Sequence, residues 1–78
     1  MLYRMITNSE TDQKQAILSV FKAITNRNYI TAIDIIRVLN LSVKQFMEYN
    51  YTLALNQLEK SGQITSGKIG QTTVFYKT

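Results

Sequence analysis

Residues able to run acid–base or nucleophilic chemistry are scarce in this 78-residue chain, which contains neither histidine nor cysteine. The commonest general base and metal ligand is therefore missing, and so are the thiolate nucleophile, the disulfide and the thiolate zinc site. The carboxylates Glu10, Asp12, Asp34, Glu48 and Glu59 form no convincing catalytic pair, and solvated helix faces account for them. No glycine-rich phosphate loop occurs, because Gly67 and Gly70 fall in a hairpin rather than between a strand and a helix. What the chain does offer is recognition chemistry. Lys44, Gln45, Tyr49, Asn50, Thr52 and Asn56 gather amides, hydroxyls and one cation into one segment, and Asn and Gln are able to pair bidentately with adenine. The expectation is a binding protein, not an enzyme, with no cofactor and no metal.

Those side chains need a rigid support, and the residue pattern supplies one. Proline is absent and the three glycines, Gly62, Gly67 and Gly70, all lie near the C-terminus. The first three quarters therefore read as helices and the last quarter as turns and strands. A first helix is expected from about Thr11, capped by Ser9 or Thr11, with Ile17, Phe21 and Ile24 at helical spacing and Leu18 and Val20 beside them. Thr25 to Asn28 is a polar break, and Tyr29-Ile30 a short extended piece. Thr31 is a cap for a second helix with the apolar stripe Ala32, Ile35, Ile36 and Leu39. After the turn Asn40-Leu41-Ser42, a third helix runs from about Ser42 to Lys60 and stops at Ser61-Gly62. Two β-branched and aromatic segments then flank Gly67-Lys68-Ile69-Gly70 as a hairpin. Residues 1–10 are assigned to an N-terminal arm and 11–78 to one domain of α+β class, mainly α.

Nine Lys and Arg against five Asp and Glu give a net charge of +4, which favours polyanionic partners. The cations are dispersed and form no run, so the charge is spread over a folded surface. No apolar run approaches the roughly 20 residues of a membrane span, and the start of the chain does not read as a secretory signal. A cytoplasmic protein is expected.

Three stretches resemble the winged helix-turn-helix superfamily. The run from Thr31-Ala32 through Ile35-Ile36 to Leu39-Asn40-Leu41-Ser42 is similar to that family's second helix and turn. The run Leu55, Leu58-Glu59-Lys60, Gly62 and Ile64 is similar to the end of a recognition helix entering the first wing strand. The glycine-containing hairpin ending in Val74-Phe75-Tyr76 is similar to the wing itself. In size the chain looks like small stand-alone bacterial transcriptional regulators, such as those of fimbrial operons. The resemblance implies three helices followed by a C-terminal wing, and double-stranded DNA as the partner. It also departs from the family: Leu41 to Leu55 is about five residues longer than the compact pattern. Either the third helix gains a turn, or Ser42 to Phe46 is an inserted loop.

On a continuous third helix, Val43, Met47, Tyr51, Ala54, Leu55 and Leu58 share the arc that should face the core. Gln45, Tyr49, Thr52 and Asn56 share the opposing arc, with Asn50 and Lys44 at its margins, and are assigned to base readout in the major groove. Phe46 and Leu53 also fall outward, where they would meet thymine methyls, a partner protein, or, for Phe46 in particular, the interior of the domain. At the tip expected for the wing, Lys68 and Gln71 are assigned to phosphate or minor-groove contact. Arg27 and Lys44 are further candidates for the DNA backbone, or are simply solvated. Two functions are thereby expected: a DNA-binding transcriptional regulator, working as a homodimer or beside another protein, or a protein-interaction module using Phe46, Tyr49 and Leu53.

Overall fold

The computed structural model describes residues 10–78. Four helices, α1 (Glu10–Ala23), α2 (Ala32–Val38), α3 (Val43–Glu48) and α4 (Tyr51–Lys60), accompany three strands, β1 (Tyr29–Ile30), β2 (Ile64–Ile69) and β3 (Thr72–Lys77). The strands form one antiparallel sheet in the order β1-β3-β2. This α+β arrangement is compatible with a winged-helix layout. The expected arm falls outside the described residues except for Glu10, which opens α1; Ser9 lies outside them too, and Thr11 sits within the helix rather than capping it.

The interior is built where the apolar stripes converge. Ile17 and Val20 from α1, Ile35 from α2, Leu58 from α4, Ile30 and Ile64 from the sheet are all fully buried. Ala16, Leu18, Phe21, Ile24, Ala32, Ile36, Leu39 and Phe75 pack around them. Each fully buried Ile or Leu is worth about 1.5–3 kcal/mol relative to exposure, and this shared interior supports helices too short to persist alone. Among the described residues, no helix is long and apolar enough to cross a membrane.

Three successive helices end in the same way, with one residue in the left-handed conformation. At the end of α2, Asn40 has φ +55°, its N–H donates to Arg37 O and that of Leu41 to Ile36 O. At the end of α4, Gly62 has φ +82°, its N–H donates to Glu59 O and that of Gln63 to Leu58 O. Both are Schellman motifs, which satisfy carbonyls that the helix leaves open. Between them, Asn50 adopts φ +58° and ψ +41° and donates to Met47 O, which terminates α3 after six residues. The expected single helix over 42–60 is therefore two helices, and the extra length takes the form of α3. Left-handed backbone costs a residue with a Cβ about 1–2 kcal/mol, and Asn tolerates it best of the non-glycine residues.

The N-terminus of α2 holds a polar network that the sequence does not announce. Asp34, read as a solvated carboxylate, is only 6% exposed. Its Oδ2 accepts from the Thr31 N–H at 2.8 Å and the Thr31 hydroxyl at 3.1 Å, while the Thr31 Oγ1 accepts from the Asp34 N–H at 3.3 Å. Arg27 closes the group with two parallel bonds to the carboxylate, 2.7 and 2.8 Å long, and a third to Tyr29 O. Its guanidinium also lies over the Tyr29 ring, 5.0 Å from the centroid. Arg27 is thus held in place by Asp34 and Tyr29 while its side chain stays 29% exposed. The bidentate Arg27 holds the Asp34 carboxyl down at about 2 against the opposing effect of burial, with the Thr31 bonds assisting.

The hairpin is tighter than expected. Gly67, Lys68 and Ile69 are strand residues paired with Val74, Thr73 and Thr72, and only Gly70-Gln71 forms the turn. Of the two turn residues only Gly70 has a positive φ, +62°, the pattern of a II′ turn, which matches the twist of the strands. Gly67 meets a different need. A Cβ there would stand 3.3 Å from Cε2 of Tyr76, so glycine lets that ring lie across β2, where it also meets Tyr29 edge-on at 6.2 Å.

Candidate nucleic-acid interface

The most regular exposed surface among the candidates is one face of α4. Tyr51, Ala54, Leu55 and Leu58 are buried at spacings of three and four residues, which anchors the helix along a single stripe. At 100° per residue, Thr52, Leu53, Asn56, Glu59 and Lys60 then fall within an arc of roughly 120° on the other side, and all five are exposed. Ten residues make a rod about 15 Å long, comparable with the ~12 Å width of the DNA major groove. Thr52 and Asn56 stand one turn apart on this face, with Lys60 a further turn along.

The break at Asn50 resets the helical phase, and α3 therefore points differently from the continuous-helix expectation. Val43 and Met47, assigned to the core, are 65% and 69% exposed. Phe46, which a continuous helix would turn outward but for which the domain interior is also expected, is buried, the only buried residue of α3; it stacks on Tyr51 with centroids 5.6 Å apart and planes 9° from parallel. This stack fastens the short helix to the start of α4. Tyr49 is half-buried against the same cluster. Burial raises the pKa of the Tyr51 hydroxyl, and the neighbouring Tyr49 adds to the rise. Of the outward trio Phe46, Tyr49 and Leu53, only Leu53 remains fully exposed, at 45%.

Gln45 is exposed but already engaged. Its side-chain oxygen accepts from the Ser42 N–H at 2.9 Å while the Ser42 hydroxyl oxygen accepts from the Gln45 N–H at 3.0 Å, a reciprocal capping box. With that oxygen used, a bidentate pair with adenine would cost the cap. Lys44 is exposed and stands 3.9 Å from Glu48 on the next turn, a solvated pair of small energetic value. Asn50 is exposed between α3 and α4 and makes no side-chain cap bond to α4.

A polar contact ties the hairpin to α4: the Ser66 hydroxyl donates to Glu59 Oε2 at 2.8 Å. Successive strand residues alternate faces, so Lys68, two positions on, shares the face of Ser66 that is turned toward α4. Lys68 is exposed opposite Thr73, and Gln71 is exposed at the turn. Thr52 and Asn56 thus share an exposed face of α4, and Lys68 is exposed on the strand that Ser66 ties to that helix. The structure separates Lys44, Gln45 and Asn50 from them onto α3 and its junction. Lys60, which the sequence pattern marks only as the end of a helix, joins the α4 face; the signal is its i+4 spacing from Asn56.

Compared with protein-family models, with curated proteins and with solved structures, this chain gives no match, so its function is argued from its own residues alone.

Proposed function

We propose that this chain is a winged helix-turn-helix protein that binds double-stranded DNA and regulates transcription. In this reading α2 and α4 form the helix-turn-helix, α3 fills the lengthened turn, and the β2–β3 hairpin is the wing. One observation carries it: the exposed Thr52–Asn56–Lys60 face of α4 is backed by a buried stripe, and Glu59 of that helix holds Ser66 of the hairpin strand that also carries the exposed Lys68. A supported polar helix face suits base edges in the major groove, and a neighbouring lysine suits a phosphate or the minor groove. Arg27 is bound to Asp34 and is not part of this face. A single small domain buries too little surface for high specificity, so the working form is a homodimer on paired half-sites in the cytoplasm.

The test is fluorescence anisotropy on labelled genomic duplexes over a salt series. Binding should be tightest at low salt and should weaken as salt rises, because phosphate contacts release counterions. No binding even at the lowest salt would refute the proposal. Lys68→Ala should weaken binding to all sequences about equally and flatten the salt dependence.

A second reading, a protein-interaction module, is favoured by the exposed Val43, Met47 and Leu53. It requires a stoichiometric protein partner that is lost on Leu53→Asp while the variant stays folded.

A further inference from the structure

We propose that the α4 face selects A·T base pairs through the major groove, with Asn56 reading adenine and Leu53 reading the thymine 5-methyl group. This inference rests on the DNA-binding reading above and names what that surface recognises.

The groups that the face has, and those it lacks, set which base edges it can read. Asn56 and Leu53 are both exposed and lie three residues apart, so they are neighbours on one side of the helix. A carboxamide presents one donor and one acceptor side by side, the complement of N7 and N6–H2 of adenine. An exposed leucine is unfavourable beside phosphates but complements the methyl group that only thymine carries into the major groove. Thr52, one turn before Asn56, adds a methyl and a hydroxyl that accept either role.

Guanine is read chiefly by Arg or Lys reaching O6 and N7. The first two turns of α4, Tyr51 to Gln57, contain neither residue. The cation of this helix, Lys60, lies in its last turn, whereas a recognition helix approaches base edges with its N-terminal part. Lys44 belongs to α3 and stands near Glu48. Glu59, the carboxylate of the face and the residue type that commonly accepts from cytosine N4, already holds the Ser66 hydroxyl through Oε2. The face thus carries readers matched to an A·T pair, and its N-terminal two turns lack the Arg or Lys that most often reads guanine.

The test enriches bound sequences from a randomised duplex pool, then remakes the best duplex with single atoms changed. Replacing thymine by uracil removes the methyl, and 7-deazaadenine removes the N7 acceptor; both changes act in the major groove. Uracil should weaken wild-type binding about fourfold, the worth of one buried methyl, and 7-deazaadenine about tenfold, the worth of one lost base contact. Leu53→Ala should be indifferent to uracil, and Asn56→Ala indifferent to 7-deazaadenine. Each pair of changes is a cycle that isolates one contact, and both side chains are exposed enough to replace without unfolding the protein. Enrichment of G·C-rich sites, or equal binding to normal and altered duplexes, would overturn the A·T assignment while leaving DNA binding intact. Failure to bind any duplex would overturn both. An A·T preference that survives both base changes points to groove shape rather than these contacts, and also overturns the inference.

Discussion

Two N-terminal capping boxes stand eleven residues apart in this chain, and they do unequal work. Thr31-x-x-Asp34 opens α2 and Ser42-x-x-Gln45 opens α3, each with reciprocal bonds between side chain and backbone. Locally they are the same device. The first is buried and charged, and Arg27 joins it from the preceding loop with a bidentate ion pair. The second is exposed and neutral, and among the described residues its bonds stay within Ser42 and Gln45. A cap alone is worth about 1 kcal/mol, while a buried carboxylate that loses its partners costs several times more. The motif sets where a helix starts, and the surroundings set how much the fold depends on it.

The largest effect expected from breaking this asymmetry is on Asp34. Asp34→Ala should lower unfolding stability by about 3 kcal/mol, read as a drop in the urea midpoint, because it leaves Arg27 and the Thr31 N–H without their acceptor. A loss no greater than that of Ser42→Ala would remove the distinction between the two boxes. The same group predicts a pH response. Its carboxyl titrates at about 2 when folded, below the ordinary 3.8, so the folded state favours the ionised form. The stabilisation is complete above about pH 5 and fades as pH falls from about 4 toward 2, with a total on the order of 2 kcal/mol. In Asp34→Asn, thermal melting should be flatter across that range; an unchanged acid profile would show that another group governs it.

Next in size is the junction that separates the boxed helix α3 from α4. Asn50→Val should cost about 1–2 kcal/mol, because a β-branched residue resists the left-handed backbone that ends α3, whereas Asn50→Gly should be near neutral. If valine is accepted without loss, the helix break is not enforced at this residue. The smallest effect belongs to the exposed box. Ser42→Ala should cost about 1 kcal/mol at most and should leave the acid profile of the wild type unchanged.

Much of this architecture is written locally. The stripe of α1, the Thr31 and Ser42 caps, the stop at Gly62 and the two strands after it are readable because each depends on residues within a few positions of one another. The helix break at Asn50 was the principal feature that periodicity concealed, since Tyr49-Asn50-Tyr51 contains neither glycine nor proline. A trace of it was present: one continuous helix forces Phe46 outward, and a large aromatic in that position signals a wrong phase. The same break decided the candidate interface. It left Thr52 and Asn56 exposed on α4, turned Phe46 and Tyr49 toward the interior and brought Val43 and Met47 to the surface.

By itself, then, the order of residues determined where α1, α2 and α3 start, most helix ends, the hairpin and the absence of histidine and cysteine chemistry. Only the tertiary structure decided that Asp34 is buried against Arg27, that Phe46 stacks on Tyr51, and that Ser66 ties the hairpin to Glu59. The reason is range. Caps, turns and periodicity act across three or four residues, whereas an ion pair spanning seven positions or a strand register depends on how separate elements pack, and packing is chosen by the whole interior at once.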